Sequence, residues 1–397
     1  MSGKLQRGGL WVLALAIPAL IAIVYAVRAM EKPDCEKLTE QVRLAVRQGQ
    51  WAHAQQLLDQ LRRQHPSQSR VEVLHAELDD ARGLKDAAIA RLRSIPATEP
   101  LAAHARTMAG QIEKGRHRAR AAEELFLDAL AVDPGLALAR RELIWIYAMQ
   151  GRRAELRAQY LALAQTKPPQ FQDVFFWTLS LEDIWINETI REDLKRFLAA
   201  DPDDRQSRLS LAAVLLGDSN LDESERILAP LSEANVDARI VWARLALGRM
   251  QLDRLRALVS EGPAEHAGLA LLRGQLAIRT GDPAGAARQF QIALQTDATC
   301  HEAISGLALV YRQMGRTEEA SQYRRRADQW RTLSDLLFKA SNPDANTDLS
   351  LQKQLGETCE ALHRPAEARA WFELALRLDP TDTSIQRSLY RLRQGSP

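Results

Sequence analysis

Cysteine is scarce. The three in 397 residues, Cys35, Cys300 and Cys359, stand far apart with no C-x-x-C spacing, which argues against a zinc site and against a disulfide framework. Charge of one sign is lacking too: the net charge is +2, so no bulk field draws nucleic acid or an acidic surface. Signatures of catalysis are missing. There is no Gly-rich phosphate loop and no G-x-S-x-G elbow, and His301-Glu302 lacks the second histidine of H-E-x-x-H. Adjacent carboxylates such as Asp79-Asp80, Glu123-Glu124 and Glu318-Glu319 point to different sides of a helix, as solvated charges do. Arg324-Arg325-Arg326 is a short basic run without interleaved aromatics, too little for a nucleic-acid surface. These absences leave no catalytic residue, no metal ligand and no cofactor to name. They argue against an enzyme and against a small-molecule substrate.

What the chain does have is a period. Pro66, Pro100, Pro134, Pro168 and Pro202 are spaced 34 residues apart without a slip, and a fixed period of this length marks a helical repeat array. Counted from Cys35, units begin at Cys35, Ser69, Ala103, Ala137, Phe171 and Arg205. Small residues fall at one place (Ala54, Ala88, Ala122, Ser224) and bulky apolar ones four later (Leu58, Leu92, Phe126, Tyr160, Leu194, Leu228). A further apolar or small residue follows after three more (Leu61, Ile95, Ala129, Leu163, Phe197, Leu231). Spacings of four and three keep side chains on one helical face. The prolines then end the second helix of each unit. Gly49, Gly83 and Gly151 fall between paired helices, where a left-handed residue closes the first one.

These residues resemble the tetratricopeptide repeat: a small residue, an aromatic or leucine four later, an alanine and then proline. The match is strongest in Ala122-Phe126-Ala129-Pro134 and Ala368-Phe372-Ala375-Pro380, with further copies at Gly281-Ala286-Phe290-Ala293 and Gly315-Ala320-Ala327. Gly274 and Gly356 match the family glycine, and Tyr147 and Tyr311 its tyrosine. The resemblance implies an all-α helix-turn-helix solenoid of about ten repeats over 35–382. One unit, about 239–266, is short; 335–348 is an insertion; 383–397 is a polar capping helix and tail.

Ahead of the repeats, Gly8 to Val27 is an uncharged run of 20 largely apolar residues, long enough to span a hydrocarbon core. A basic tail, 1–9, and an uncleaved transmembrane anchor, 10–28, are expected, since Val27-Arg28-Ala29 is a poor signal-peptidase site. Basic residues on both sides of the span nearly balance. A short basic amino terminus followed by one span favours an exoplasmic or periplasmic repeat domain.

In the family the resemblance points to, first helices line a concave groove. The matching places in the middle of this chain are apolar: Trp145, Met149, Phe175, Phe176, Leu179 and Leu209, with Arg141 beside them. Early and late units carry charges there instead, such as Arg43, Glu77, Lys353 and Glu360. Trp177, Trp185 and Trp242 are expected in the core. Family members that clamp a partner's terminal carboxylate use asparagines in the groove. The five asparagines here, Asn187, Asn220, Asn235, Asn342 and Asn346, all read as turn or loop residues, so that clamp is not expected. The sequence thus points to a membrane-tethered, non-enzymatic scaffold whose groove takes a protein or peptide segment. The alternative is a regulatory or assembly subunit of an envelope enzyme or biogenesis complex.

Overall fold

A computed structural model describes residues 35–64, 68–179 and 188–394. Among the described residues it is all helix with no strand. The helices follow in chain order: α1 (35–47), α2 (Trp51–Gln64), α3 (Gln68–Ala81) packed on α4 (Lys85–Arg93), α5 (Ala102–Gly115), α6 (Ala119–Val132), and α7 (Ala137–Met149) packed on α8 (Arg153–Thr166). Next come α9 (Phe171–Leu179) and α10 (Glu188–Ala200), then α11 (Arg205–Gly217) packed on α12 (Leu221–Leu228), and α13 (Val236–Gly248) packed on the short α14 (Leu252–Ser260). The last pairs are α15 (Ala267–Arg279) with α16 (Pro283–Thr296), α17 (His301–Gln313) with α18 (Thr317–Ala340), and α19 (Leu349–Ala361) with α20 (Pro365–Leu378), followed by a final helix α21 (Thr383–Gln394).

The periodic residues make the core. Leu58, Leu92, Phe126, Phe290 and Phe372 are buried together with the alanine four places before each and the alanine, leucine or isoleucine three places after. Each hairpin is too small to bury its own apolar stripe, so neighbours supply the cover. Gly274 on α15 and Gly306 on α17 both lie against the ring of Phe290. All three cysteines are buried and none is in a disulfide, and burial drives the Cys359 thiol well above its ordinary range. Trp177 and Trp242 are buried as the sequence suggests; Trp185 lies outside the described residues.

The turns keep the period as well. Gly49, Gly83 and Gly151 take φ of 70°, 80° and 61°. His117 and Ser219 hold the same place 34 residues on in their series, and Met250 and His363 do so in later hairpins, all at φ near 60°. A side chain costs about 1–2 kcal/mol in that left-handed region. Met250 is exposed, so Met250→Gly is expected to raise stability by about 1 kcal/mol, read as a higher urea midpoint with an unchanged slope.

Two departures from a uniform array were placed at 239–266 and 335–348. In the first, α14 has only 9 residues. In the second, α18 runs on as one helix of 24 residues to Ala340, followed by a 3₁₀ turn over Pro343–Thr347. Helix α21 buries Ile385, Leu389 and Leu392.

The chain divides into two compact units, 35–112 with 127–134, and 113–126 with 135–394. In the first, Arg43 reaches from α1 to Glu77 on α3 at 3.2 Å, and Arg91 pairs with both Glu72 and Asp79. In the second, first helices stand side by side, α7 with α9, α11 with α13, α13 with α15, and α15 with α17. The second unit also closes on itself, because α20 packs on α9. The Trp371 indole N–H donates to Thr178 Oγ1 at 2.8 Å. The rings of Phe171 and Trp371 meet edge to face at 5.5 Å, and Arg377 donates to the Pro169 carbonyl. Trp371 and Thr178 are fully buried at this seam.

No helix among the described residues is long and apolar enough to cross a membrane. The anchor expected at 10–28 lies outside them.

Candidate functional site

The second unit contains a cleft of about 430 Å³ between the carboxyl ends of α7 and α9 and the start and middle of α11 and α13. Its apolar wall joins Met149 at the end of α7, Phe176 and Leu179 on α9, Ile190 on α10, Leu209 on α11 and Val241 on α13. Polar groups edge it: Gln206 and Ser210 on α11, Asp237 and Arg244 on α13, and Arg153 at the start of α8.

The wall is held by buried hydrogen bonds. Ser210 Oγ donates to the Gln150 carbonyl at 2.6 Å, and Gln150 Nε2 donates to Ser207 Oγ at 3.0 Å. Ser207 Oγ in turn donates to Asp204 Oδ2, while Asp204 caps α11 by accepting from the Ser207 N–H. Gln150, Asp204 and Ser207 are all buried. A satisfied buried network of this kind fixes one arrangement, so the end of α7 and the start of α11 are locked together. Next to it, Arg152 pairs with Glu123 at 2.6 Å and Glu155 at 3.0 Å and lies over the Tyr147 ring at 4.4 Å. The Tyr147 hydroxyl donates to Glu123. Burial and then the Glu123 charge push its pKa far up, so it stays a neutral donor.

Of the seven groove residues read from the sequence, four line the cleft: Met149, Phe176, Leu179 and Leu209. The other three sit elsewhere. Trp145 meets Phe197 of α10 edge to face at 6.0 Å, with the Lys114 ammonium 4.9 Å above its ring. Lys114 also pairs with Glu142. Phe175 lies beside Phe171, whose other contact is the seam residue Trp371. Arg141 is committed to the buried Asp173 at 3.1 Å, where burial raises the Asp173 carboxyl pKa and Arg141 opposes it. Charges read as groove lining therefore tie one first helix to the next, as Arg43 also does with Glu77. Ile190, Val241 and Arg244 were not foreseen. Ile190 belongs to a second helix, and the short repeat shifts the register around Val241.

Among the described residues no group of three or more His, Cys, Asp or Glu side chains is placed to hold a metal ion. The buried carboxylates of the wall are spent on caps and arginines rather than aimed into the cleft.

Tetratricopeptide repeat family models match residues 271–332 and 354–382. No curated protein matches the chain. Among solved structures, a tetratricopeptide repeat protein from Parabacteroides merdae is 18% identical and covers 70% of this chain and 98% of its own, with a TM-score of 0.31. The APC/C hetero-tetramer Cut9–Hcn1 is 12% identical over 90% of both chains, with a TM-score of 0.35. Yeast Tom70 is 13% identical, covering 90% of this chain and 88% of its own, with a TM-score of 0.30. The two matched segments contain Phe290 and Phe372, the tetratricopeptide aromatics whose rings meet Gly274 and Gly356.

Proposed function

We propose that the chain is a non-enzymatic, membrane-tethered scaffold that holds an apolar segment of a protein partner in the cleft between α7, α9, α11 and α13. The observation that carries this is the convergence of Met149, Phe176, Leu179 and Leu209 on one preformed cavity. Clefts of a few hundred Å³ with an apolar lining and a few fixed polar groups are the usual form of recognition sites. An apolar side chain of the partner fits between Phe176 and Leu209, with Gln206 left to meet its backbone or flanking polar groups. Tethering through 10–28 raises the effective concentration of the site for membrane-bound partners. The short basic tail, 1–9, favours an exoplasmic or periplasmic repeat array over 35–382, ending in the cap and tail at 383–397.

A photo-crosslinking residue placed at Phe176 in native membranes is expected to capture one defined protein. The same probe at the highly exposed Phe338 on α18, away from the cleft, is expected to capture none. Equal labelling from both positions would remove the cleft from the mechanism. Loss of the chain from membranes on alkaline carbonate washing would remove the tether.

A further inference from the structure

His75, on α3 of the first unit, stands in a place that the repeat otherwise fills with hydrocarbon. Counted on in steps of 34 residues, the same place holds Ala109, Leu143, Trp177 and Leu211, and each of these is buried. His75 is buried too, and its Nε2 has no hydrogen-bond partner. A neutral imidazole tolerates this setting at the cost of one unmade bond. An imidazolium there would be a charge withdrawn from water.

The carboxylates beside it are already committed. Glu72 lies one turn before His75 and Asp79 one turn after, so the three share a face of α3. Arg91 crosses from α4 and bridges both: its Nη1 is 2.8 Å from Glu72 Oε2 and its Nε 3.2 Å from Asp79 Oδ2. Arg62 of α2 takes the other Glu72 oxygen at 3.0 Å. These are the charged groups that face His75: Glu72 and Asp79 from its own helix, Arg62 from α2 and Arg91 from α4. Two carboxylates and two guanidinium groups balance one another. A proton on His75 adds a third cation to the same two carboxylates.

We propose that His75 is an acid-sensitive latch in the first unit: its protonation in mildly acidic solution draws Glu72 or Asp79 away from Arg91 and loosens α4 from α3. Burial lowers the His75 pKa below the usual imidazole range, the Arg91 and Arg62 charges lower it further, and Glu72 and Asp79 oppose them. The opened hairpin therefore takes up the proton that the folded one resists. The stability that neutral His75 lends is complete above about pH 6.5 and is lost as the pH falls from there towards the folded-state value. The latch lies in the first unit and does not depend on the cleft of the second.

Hydrogen exchange of the purified full chain at pH 7.5 and pH 5.0, with labelling times scaled for the intrinsic pH dependence of exchange, tests it. Opening of α3 and α4 is expected to rise about fivefold or more at pH 5.0, with a ceiling of about thirtyfold set by an ordinary imidazole binding its proton in the opened hairpin. His75→Leu, which restores the residue found at Leu143 and Leu211, is expected to remove that rise. His75→Gln, polar but uncharged at both pH values, is expected to remove it as well, so the reading does not depend on how leucine packs. Helices α11 and α12, which contain no histidine, serve as the reference within the same chain. An acid response of equal size in wild type and both variants, or as large in α11 and α12 as in α3 and α4, would overturn the proposal.

Discussion

Replacing Trp371 by alanine is expected to lower the unfolding free energy by about 3–5 kcal/mol, the usual range for deleting a fully buried tryptophan. Two terms add. The ring contact with Phe171 is lost, and a cavity opens between α20 and α9. Trp371→Phe separates the terms. It keeps a ring against Phe171 but removes the N–H to Thr178 Oγ1, and is expected to cost about 1–2 kcal/mol for the lost bond and the smaller ring. Thr178 retains its own bond to the Val174 carbonyl at 2.8 Å, so no donor is stranded. Urea denaturation of the full chain measures both variants. The seam bears on function because α9 has two occupied faces: Phe171 and Thr178 meet α20, while Phe176 and Leu179 line the cleft. Loosening the first face frees the second to move, so Trp371→Ala is also expected to weaken partner capture. A loss of less than about 1 kcal/mol would mean that α20 does not position α9.

The second large effect reverses the usual sign. Glycine inside a helix is about 0.5–1 kcal/mol worse than alanine, so on propensity alone Gly274→Ala should stabilise α15. Here a Cβ on Gly274 would lie 2.5 Å from Phe290 Cε1, and a Cβ on Gly306 would lie 2.5 Å from Cε2 on the ring's other edge. Phe290 is fully buried and pinned from both sides, so it cannot step away from the new methyl. Overpacking of this kind costs about 1–3 kcal/mol. Gly274→Ala is therefore expected to destabilise by about 2 kcal/mol, and Phe290→Leu in that background is expected to recover part of the loss. Additive effects of the two changes in a double-mutant cycle would show that the close approach is relieved elsewhere. Gly356 stands in the same relation to Phe372, at 2.7 Å, and should behave alike.

Much of this was legible in the residues because it is local. The 34-residue spacing put Gly49, Gly83 and Gly151 at turns, and each has a positive φ. It put Ala122, Phe126 and Ala129 on one face, and each is buried. The spacing could not reveal the seam. A repeat pattern reports contacts between neighbours, whereas Thr178 and Trp371 are 193 residues apart and nothing in either hairpin's own pattern marks them as partners. The groove was half legible for a related reason. Family places identify which residues stand on first helices. They do not say how far along the helix a cavity opens. Here it opens between the carboxyl ends of α7 and α9 and the start and middle of α11 and α13, so Met149, Phe176, Leu179 and Leu209 reach it. Trp145 is taken up by Phe197 and Lys114, and Arg141 by Asp173. The turns at His117, Ser219, Met250 and His363 went unread because their residue types do not advertise a left-handed backbone.

The decisive measurement is the affinity of the protein crosslinked at Phe176 for the full chain, with and without Leu209→Glu. Leu209 is buried in the cleft wall, and a carboxylate there must be desolvated beside any apolar occupant. Gln206→Glu, on the polar edge of the same cleft, controls for added charge. A loss of about tenfold or more with Leu209→Glu, corresponding to at least 1.4 kcal/mol, and near wild-type binding with Gln206→Glu, is the expected result. Undiminished binding by a Leu209→Glu chain that folds with the wild-type helix content would contradict the cleft as the working surface.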